Sequence, residues 1–176
     1  EEGPAVVACN HVSFVDALVI AAACRRPIRF VMDHRIFRIP LLNFIFREGR
    51  AIPIAPAREN PQLLERAYDE IAAALAAGEL VGIFPEGRIT DTGELNTFRG
   101  GIRRIVERTP VPVVPMALKG LYGSFFSRQG GAAMTRPFRR GLLSRIGLEV
   151  APAVAPAEAK TEALRAQVQA MRGEWR

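Results

Sequence analysis

Leu80-Val81-Gly82-Ile83-Phe84-Pro85-Glu86-Gly87-Arg88 passes without a break from an uninterrupted apolar run into a polar turn. A short run of this kind, flanked by turn residues, reads as a strand buried on both faces. Pro85 to Arg88 then fall at the carboxyl end of a central strand, where open α/β sheets bind ligands. Immediately before it, Asn60-Pro61 is a helix start, a capping residue followed by proline at the first helical position. Leu64, Ala67, Tyr68, Ile71, Ala74 and Leu75 then repeat with helical period, and Gly78 closes the helix.

The same alternation continues in both directions. Ala5 to Ala8 reads as a short buried strand, Asp16 to Cys24 as a helix ending near Arg25, Arg26 and Pro27, and Ile28 to Met32 as a second strand. Between Asp33 and Arg50 two short amphipathic pieces are split by Pro40. Ala51 to Ile54 is a third strand, which Pro53 confines to an edge or a strand end. After Arg88, a turn at Asp91 to Gly93 leads to a helix from about Ile102 to Arg108. Val111 to Leu118 is another buried strand, interrupted in its hydrogen bonding by Pro112 and Pro115. Ile146 to Val150 is a last strand, and Leu164, Val168, Met171 and Trp175 form the apolar stripe of a closing helix. Strands alternating with helices predict an α/β fold, a mixed and mostly buried central sheet covered by helices.

The chain has 176 residues, 49% of them hydrophobic, and is expected to form one domain over residues 1–176. A domain of this size buries roughly 70% of its unfolded surface, so it needs no disulfides. Cys9 and Cys24 lie in apolar surroundings and indicate neither a disulfide framework nor a zinc spacing, and no metal site is expected. The longest apolar run, Ala17 to Cys24, is far below the ~18 residues of a membrane span. No signal peptide is visible, and the first strand follows Glu1 within a few residues, which suggests a module excised from a longer polypeptide. The net charge of +6 and pI near 10.3 imply an acidic partner: a phosphorylated small molecule, an anionic membrane face, nucleic acid or an acidic protein. Only Lys119 and Lys160 are lysine; the other basic residues are arginine, the better fork for phosphate.

Two groups of residues carry chemistry. His11 follows the first strand and Asp16 opens the helix after it. In one continuous helix this spacing would turn the side chains apart, but across a strand, turn and helix the carboxylate can reach one imidazole nitrogen and leave the other free. Imidazole titrates at about 6.5 in water, so such a pair can remove a proton from a hydroxyl near neutral pH. Asp16 has a second reading, because Ser13 and Asp16 match the S-x-x-[DE] capping box, and His11 can equally be a hydrogen-bonded turn residue. Cys9, ending an apolar strand, reads as core. His34 reads as a surface or interface residue. No G-x-S-x-G elbow is present, so an activated hydroxyl would belong to a substrate. In the second group Gly87 lets a ligand approach the backbone, Arg88 can grip a phosphate, and Glu86 can bind hydroxyls or hold the arginine. An ordinary turn after a strand explains these three residues equally well.

Asn10-His11-Val12-Ser13-Phe14-Val15-Asp16 resembles the first signature of the glycerolipid acyltransferases of the lysophosphatidic acid acyltransferase type, in which His and Asp are separated by four residues. Phe84-Pro85-Glu86-Gly87-Arg88 is similar to their Phe-Pro-Glu-Gly signature, and Val111-Pro112-Val113-Val114-Pro115 to their late Val-Pro-x-x-Pro strand. The three stand in the family's order and span Val6 to Leu118. The stretch Arg29 to Ala57 is similar in style to bacterial acyltransferase modules fused to lysophospholipid transporter-like or acyl-carrier-protein ligase-like domains.

The resemblance implies that His11, oriented by Asp16, deprotonates the glycerol hydroxyl of a lysophospholipid, whose oxygen attacks the thioester of acyl-coenzyme A or acyl carrier protein without an acyl-enzyme. No further cofactor is implied. Glu86, Gly87 and Arg88 would help to hold the acceptor. Where the family often has Thr-Arg-Ser after Glu-Gly, this chain has Arg88-Ile89-Thr90, so the phosphate-binding arginine is Arg88 itself, Arg99 or Arg103. Where a middle signature usually ends in Asp-Arg, Ala55-Pro56-Ala57-Arg58 stands, which leaves Arg58 as a further candidate. The resemblance implies work at the cytoplasmic face of a membrane, peripherally or tethered through other segments. Tyr122 to Arg145 would be the interfacial surface, its arginines toward anionic heads or an acidic carrier protein and Phe125 and Phe126 toward acyl chains. The acceptor is lysophosphatidic acid or lysophosphatidylethanolamine. The competing functions are a thioester hydrolase and a basic lipid- or nucleic-acid-binding module. Nucleic acid is disfavoured because few aromatics are interleaved with the basic residues and no nucleic-acid motif is present.

Overall fold

The computed structural model describes residues 2–129, 131 and 145–174, and of residues 40–42 the backbone alone. The described chain alternates between strands and helices. Its strands are β1 (Ala5–Cys9), β2 (Ile28–Asp33), β3 (Ile52–Ile54), β4 (Leu80–Ile83), β5 (Val113–Lys119) and β6 (Gly147–Val150). Its α-helices are α1 (Asp16–Ala23), α2 (Pro40–Glu48), α3 (Pro61–Ala76), α4 (Gly101–Arg108) and α5 (Thr161–Arg172), with 3-10 turns at His34–Arg38 and Pro156–Glu158. The strands form one sheet in the order β3-β2-β4-β1-β5-β6. β1 to β5 run parallel and β6 pairs antiparallel to β5.

Successive strand side chains point to opposite faces, and β1 separates two cores accordingly. Val6 and Ala8 join Ile71 and Leu75 of α3, Ile102 of α4 and Leu164 of α5 on one face. Val7 and Cys9 join Ile20 of α1, Phe30 of β2 and Phe46 of α2 on the other. Ile71 is 2% exposed and Leu75 1%, and burying each contributes about 1.5–3 kcal/mol relative to exposure. That apolar stripe holds α3 on the sheet, and Ile71→Ala is the single change that most directly loosens it, at about 2–5 kcal/mol. The Asn60 side chain caps α3 by accepting from Leu63 N, with Pro61 in the first turn as expected.

Pro53 lies in the edge strand β3, but Pro115 lies inside β5 without breaking it. The carbonyl of Pro115 faces Ala151, just past the last residue of β6, and accepts its N–H. N–H and C=O of one strand residue point the same way, so the donor that proline lacks falls in the gap between the β6 ladder and the isolated Val113–Val154 bridge. The expected interruption therefore costs β1·β5 pairing nothing. Phe84, expected to end its strand, instead turns out of it, since its carbonyl accepts Gly87 N and Gly87 takes a φ of 66°. Gly82 in β4 has a packing reason: a Cβ there would stand 2.5 Å from the ring of Phe30. Leu164 and Val168 of the closing helix are buried as the stripe predicts, and Trp175 lies outside the described residues.

Candidate active site

Because β1 to β5 are parallel, the loops after them share one edge of the sheet, and the residues with chemistry collect there. β1 ends between β4 and β5. Past its last residue, the buried Asn10 side chain stands in for one more residue of the ladder: Nδ2 donates to Leu118 O at 2.9 Å and Oδ1 accepts from Leu118 N at 2.7 Å. His11 is next, and its main chain is gripped from the loop after β4. His11 N donates to Glu86 Oε1 at 2.7 Å, and His11 O accepts from Thr90 N at 2.9 Å.

The imidazole is fixed as firmly. Nδ1 lies 2.8 Å from Asp16 Oδ2, and since a carboxylate only accepts, Nδ1 carries the proton and Nε2 the lone pair. Phe84 stacks on the ring, centroids 4.2 Å apart and planes at 14°, and Phe84 stacks in turn with Phe30 at 5.8 Å. The space that Gly82 leaves for Phe30 thus reaches the histidine through two aromatic rings. The His11 side chain keeps 20% of its surface exposed.

Asp16 is fully buried at the first position of α1. Its Oδ2 also accepts from Val12 N at 2.7 Å and Ser13 N at 2.9 Å, and its Oδ1 from Ser13 Oγ at 2.8 Å. A buried carboxylate is tolerable only with such donors, and the helix N-terminus adds a favourable field. The expected capping box is half formed. Asp16 accepts Ser13 N, but Ser13 Oγ, which donates to the carboxylate, accepts from Val15 N at 3.2 Å, and the N-cap residue Val15 makes no side-chain cap bond of its own. Orienting the histidine and bracing the turn are therefore one role, carried by the same oxygen.

Glu86 is 2% exposed. Oε1 takes His11 N, and Oε2 takes Asn96 N at 2.7 Å and Asn96 Nδ2 at 2.8 Å. Burial raises its pKa above the ordinary carboxylate value, against the pull of these N–H donors. Both oxygens accept from the protein, and the structure pairs Glu86 with His11 and Asn96, where the sequence offers it hydroxyls of a ligand or the arginine. Asn96, which sequence reasoning missed, is the partner that holds it. Gly87 and Arg99 come together as candidates for a ligand: a Cβ on Gly87 would lie 3.0 Å from Arg99 Nε. Arg88 is exposed and donates from Nη2 to Asn96 Oδ1 at 3.0 Å. Arg103 points elsewhere, into an exposed ion pair with Glu107 on α4 at 2.6 Å. Arg58 is exposed in the loop after β3, an edge strand that β2 separates from β4.

Cys9 is buried, and burial with the nearby Asp16 charge pushes its thiol well up, which keeps it protonated core. His34, expected at the surface or an interface, is half-buried between Asp33 at 3.6 Å and Glu59 at 3.5 Å. The loop after β5 lies against the His11–Asp16 turn, with Phe14 N donating to Phe126 O at 3.1 Å and a bridge between Ser13 and Ser127. Phe125 and Phe126 pack edge to face there, each 37% exposed. Residues 130 and 132–144 of that expected interfacial stretch, among them Met134, Arg136, Phe138, Arg139 and Arg140, lie outside the described residues. No helix among the described residues is long and apolar enough to cross a membrane.

The chain is 31% identical over 119 residues to a 1-acyl-sn-glycerol-3-phosphate acyltransferase of Cocos nucifera, an alignment that covers 67% of this chain and 38% of that protein. It is 27% identical over 129 residues to a lyso-ornithine lipid O-acyltransferase of Rhizobium meliloti, covering 68% of this chain and 43% of that protein. The chain thus spans less than half the length of either relative. Its fold is similar to the crystal structure of the 1-acyl-sn-glycerophosphate acyltransferase PlsC of Thermotoga maritima, with a TM-score of 0.69 at 21% identity over 97% of this chain and 64% of that one. A family description, "Acyltransferase", matches residues 1–119, which include the His11–Asp16 turn, Glu86 with Asn96, and the arginines around Gly87. On that match, the chain belongs to the acyltransferase family.

Proposed function

We propose that the chain transfers a fatty acyl group from an acyl thioester to the free glycerol hydroxyl of a lysophospholipid such as 1-acylglycerol-3-phosphate. The observation that carries this reading is His11 Nδ1 held 2.8 Å from Asp16 Oδ2, with neither Ser13 nor Cys9 beside it placed as a nucleophile. Ser13 has given its hydroxyl to Asp16 and Cys9 is a buried, protonated thiol. The hydroxyl to be activated belongs to the acceptor.

Nε2 of His11 takes the acceptor's hydroxyl proton as its oxygen adds to the thioester carbonyl. The tetrahedral adduct collapses with loss of the thiolate, which recovers the proton from the imidazolium. Asp16 stabilises that cation and keeps the tautomer, and base help of this kind is worth roughly 10² to 10⁴ in rate. Arg88 and Arg99, on either side of Gly87, suit a phosphate, and relatives named for glycerol-3-phosphate and ornithine lipids support a hydroxyl acceptor on a lysolipid. Glu86 acts here by fixing the main chain of His11 and not by touching the acceptor. The donor is acyl-coenzyme A or acyl carrier protein, and the exposed Phe125 and Phe126 beside the site support work at an anionic membrane surface.

The test is incubation with acyl thioester, with and without lysophosphatidic acid, lysophosphatidylethanolamine or lyso-ornithine lipid. Acceptor-dependent ester supports the reading, and the preferred lysolipid identifies the head group. Thiol release independent of every acceptor overturns it in favour of hydrolysis.

A further inference from the structure

We propose that Asn96 is a positioning residue for the base, and that Arg165 on α5 locks it in place. This rests on the reading of His11 as general base. Asn96 gives Glu86 two N–H groups, from its main chain and its side chain, and Glu86 spends its other oxygen on the main chain of His11. The carbonyl oxygen of the same amide accepts from Arg88. One side chain therefore joins an arginine suited to the acceptor's phosphate to the residue that takes the acceptor's proton.

The loop that carries Asn96 has no strand or helix of its own; besides its own turn bonds and the Tyr122 hydroxyl on Asp91 O, part of what holds it comes from the far end of the chain. Arg165 Nε donates to Asn96 O at 3.1 Å and Arg165 Nη2 to Leu95 O at 2.9 Å. Two helical turns further on along the same face, Arg172 is 3% exposed and donates to Gly93 O and to Glu94 Oε2. Burying an arginine is costly unless its donors are used, and here Nη1 and Nη2 are used on the Gly93 carbonyl and the Glu94 carboxylate, while the buried Nε has no partner among the described residues. α5 lies beyond residues 1–119, the part matched to the family, so the clamp is supplied by this chain's own carboxyl-terminal helix. The fork of a guanidinium meets two successive carbonyls, a geometry that a lysine ammonium reproduces only in part.

Removing the Asn96 amide leaves Glu86 with one donor fewer and frees Arg88, which lets the His11 main chain shift relative to the phosphate arginine. Displacements well under the length of a bond cost large factors in rate, about 10²-fold for 1 Å. The effect belongs in kcat, because no donor contact is lost.

The experiment compares the parent with Asn96→Ala, Arg165→Met, Arg165→Lys and the Asn96→Ala/Arg165→Met pair, by steady-state kinetics and by the amide NMR signal and hydrogen exchange of His11. Asn96→Ala and Arg165→Met are expected to lower kcat about tenfold with the thioester KM unchanged, to move the His11 amide signal, and to be less than additive together, with Arg165→Lys recovering part of the loss. An unmoved His11 amide, or a kcat within about twofold of the parent in Asn96→Ala, overturns the proposal. The amide signal keeps this test separate from the activity itself: a parent that transfers no acyl group refutes the functional reading, while a moved His11 amide in the same protein still supports the linkage through Asn96.

Discussion

Phe84 lies flat on His11, ring against ring at 4.2 Å, and it is held there by Phe30, which occupies the space that Gly82 leaves open. A histidine fixed at Nδ1 by Asp16 can still swing about that bond, and the stacked ring removes the swing. Phe84→Leu is expected to lower kcat about tenfold while the protein stays folded, and Phe84→Tyr, which keeps the ring, to lower it less. Steady-state kinetics with a melting curve for each variant decide the matter.

Asp16→Asn tests the carboxylate apart from the turn. The amide oxygen can still accept from Val12 N and Ser13 N, so the fold should survive with a lowered Tm. The charge that stabilises the imidazolium is lost, and kcat should fall by about 10² to 10⁴. A fall in Tm without a fall in kcat would leave Asp16 as a turn brace alone.

Glu86 makes a pH prediction whose sign follows from its burial. Its folded pKa is raised above the ordinary value of 4.5, so the folded state holds this proton more tightly than the unfolded state. The contribution to stability is complete below the unfolded value and is lost as pH rises through the folded one. Glu86→Gln removes that titration. Urea denaturation from pH 4 upward should therefore show the parent losing stability relative to the variant as the pH rises through that window.

Among the arginines, Arg88→Ala and Arg99→Ala should each raise the acceptor KM, by about tenfold for loss of one charge-assisted contact, with the donor KM unchanged. Arg103→Ala should leave it within about twofold, because Arg103 is spent on Glu107 at the surface.

The fold was legible wherever local chemistry and the apolar pattern agreed. Asn60-Pro61 and the stripe from Leu64 to Leu75 placed α3, and the run from Leu80 placed β4. The sheet order was not legible, since β1 pairs with strands about 75 and 107 residues away and apolar runs carry no partner labels. The His11–Asp16 pair could be read because strand, turn and helix follow in a few residues. Glu86 was seen but not its partner: Asn96 sits in a loop of Thr, Gly, Asp and Glu with no period. Its only sequence signal is an amide residue between the buried Leu95 and Phe98. Arg165 and Arg172 share the repeat of Leu164, Val168 and Met171, and an arginine beside an apolar stripe ordinarily faces water. Only the packed loop shows that Arg172 turns inward.

The central claim is that His11 removes a proton from a bound lysolipid. Ester formation from a labelled acyl thioester and lysophosphatidic acid, measured in the parent and in His11→Ala at equal folded concentration, tests it most directly. Acceptor-dependent ester is expected in the parent, with a loss of at least about 10²-fold in the variant and binding of the acceptor retained. Turnover in His11→Ala within a few-fold of the parent would contradict it.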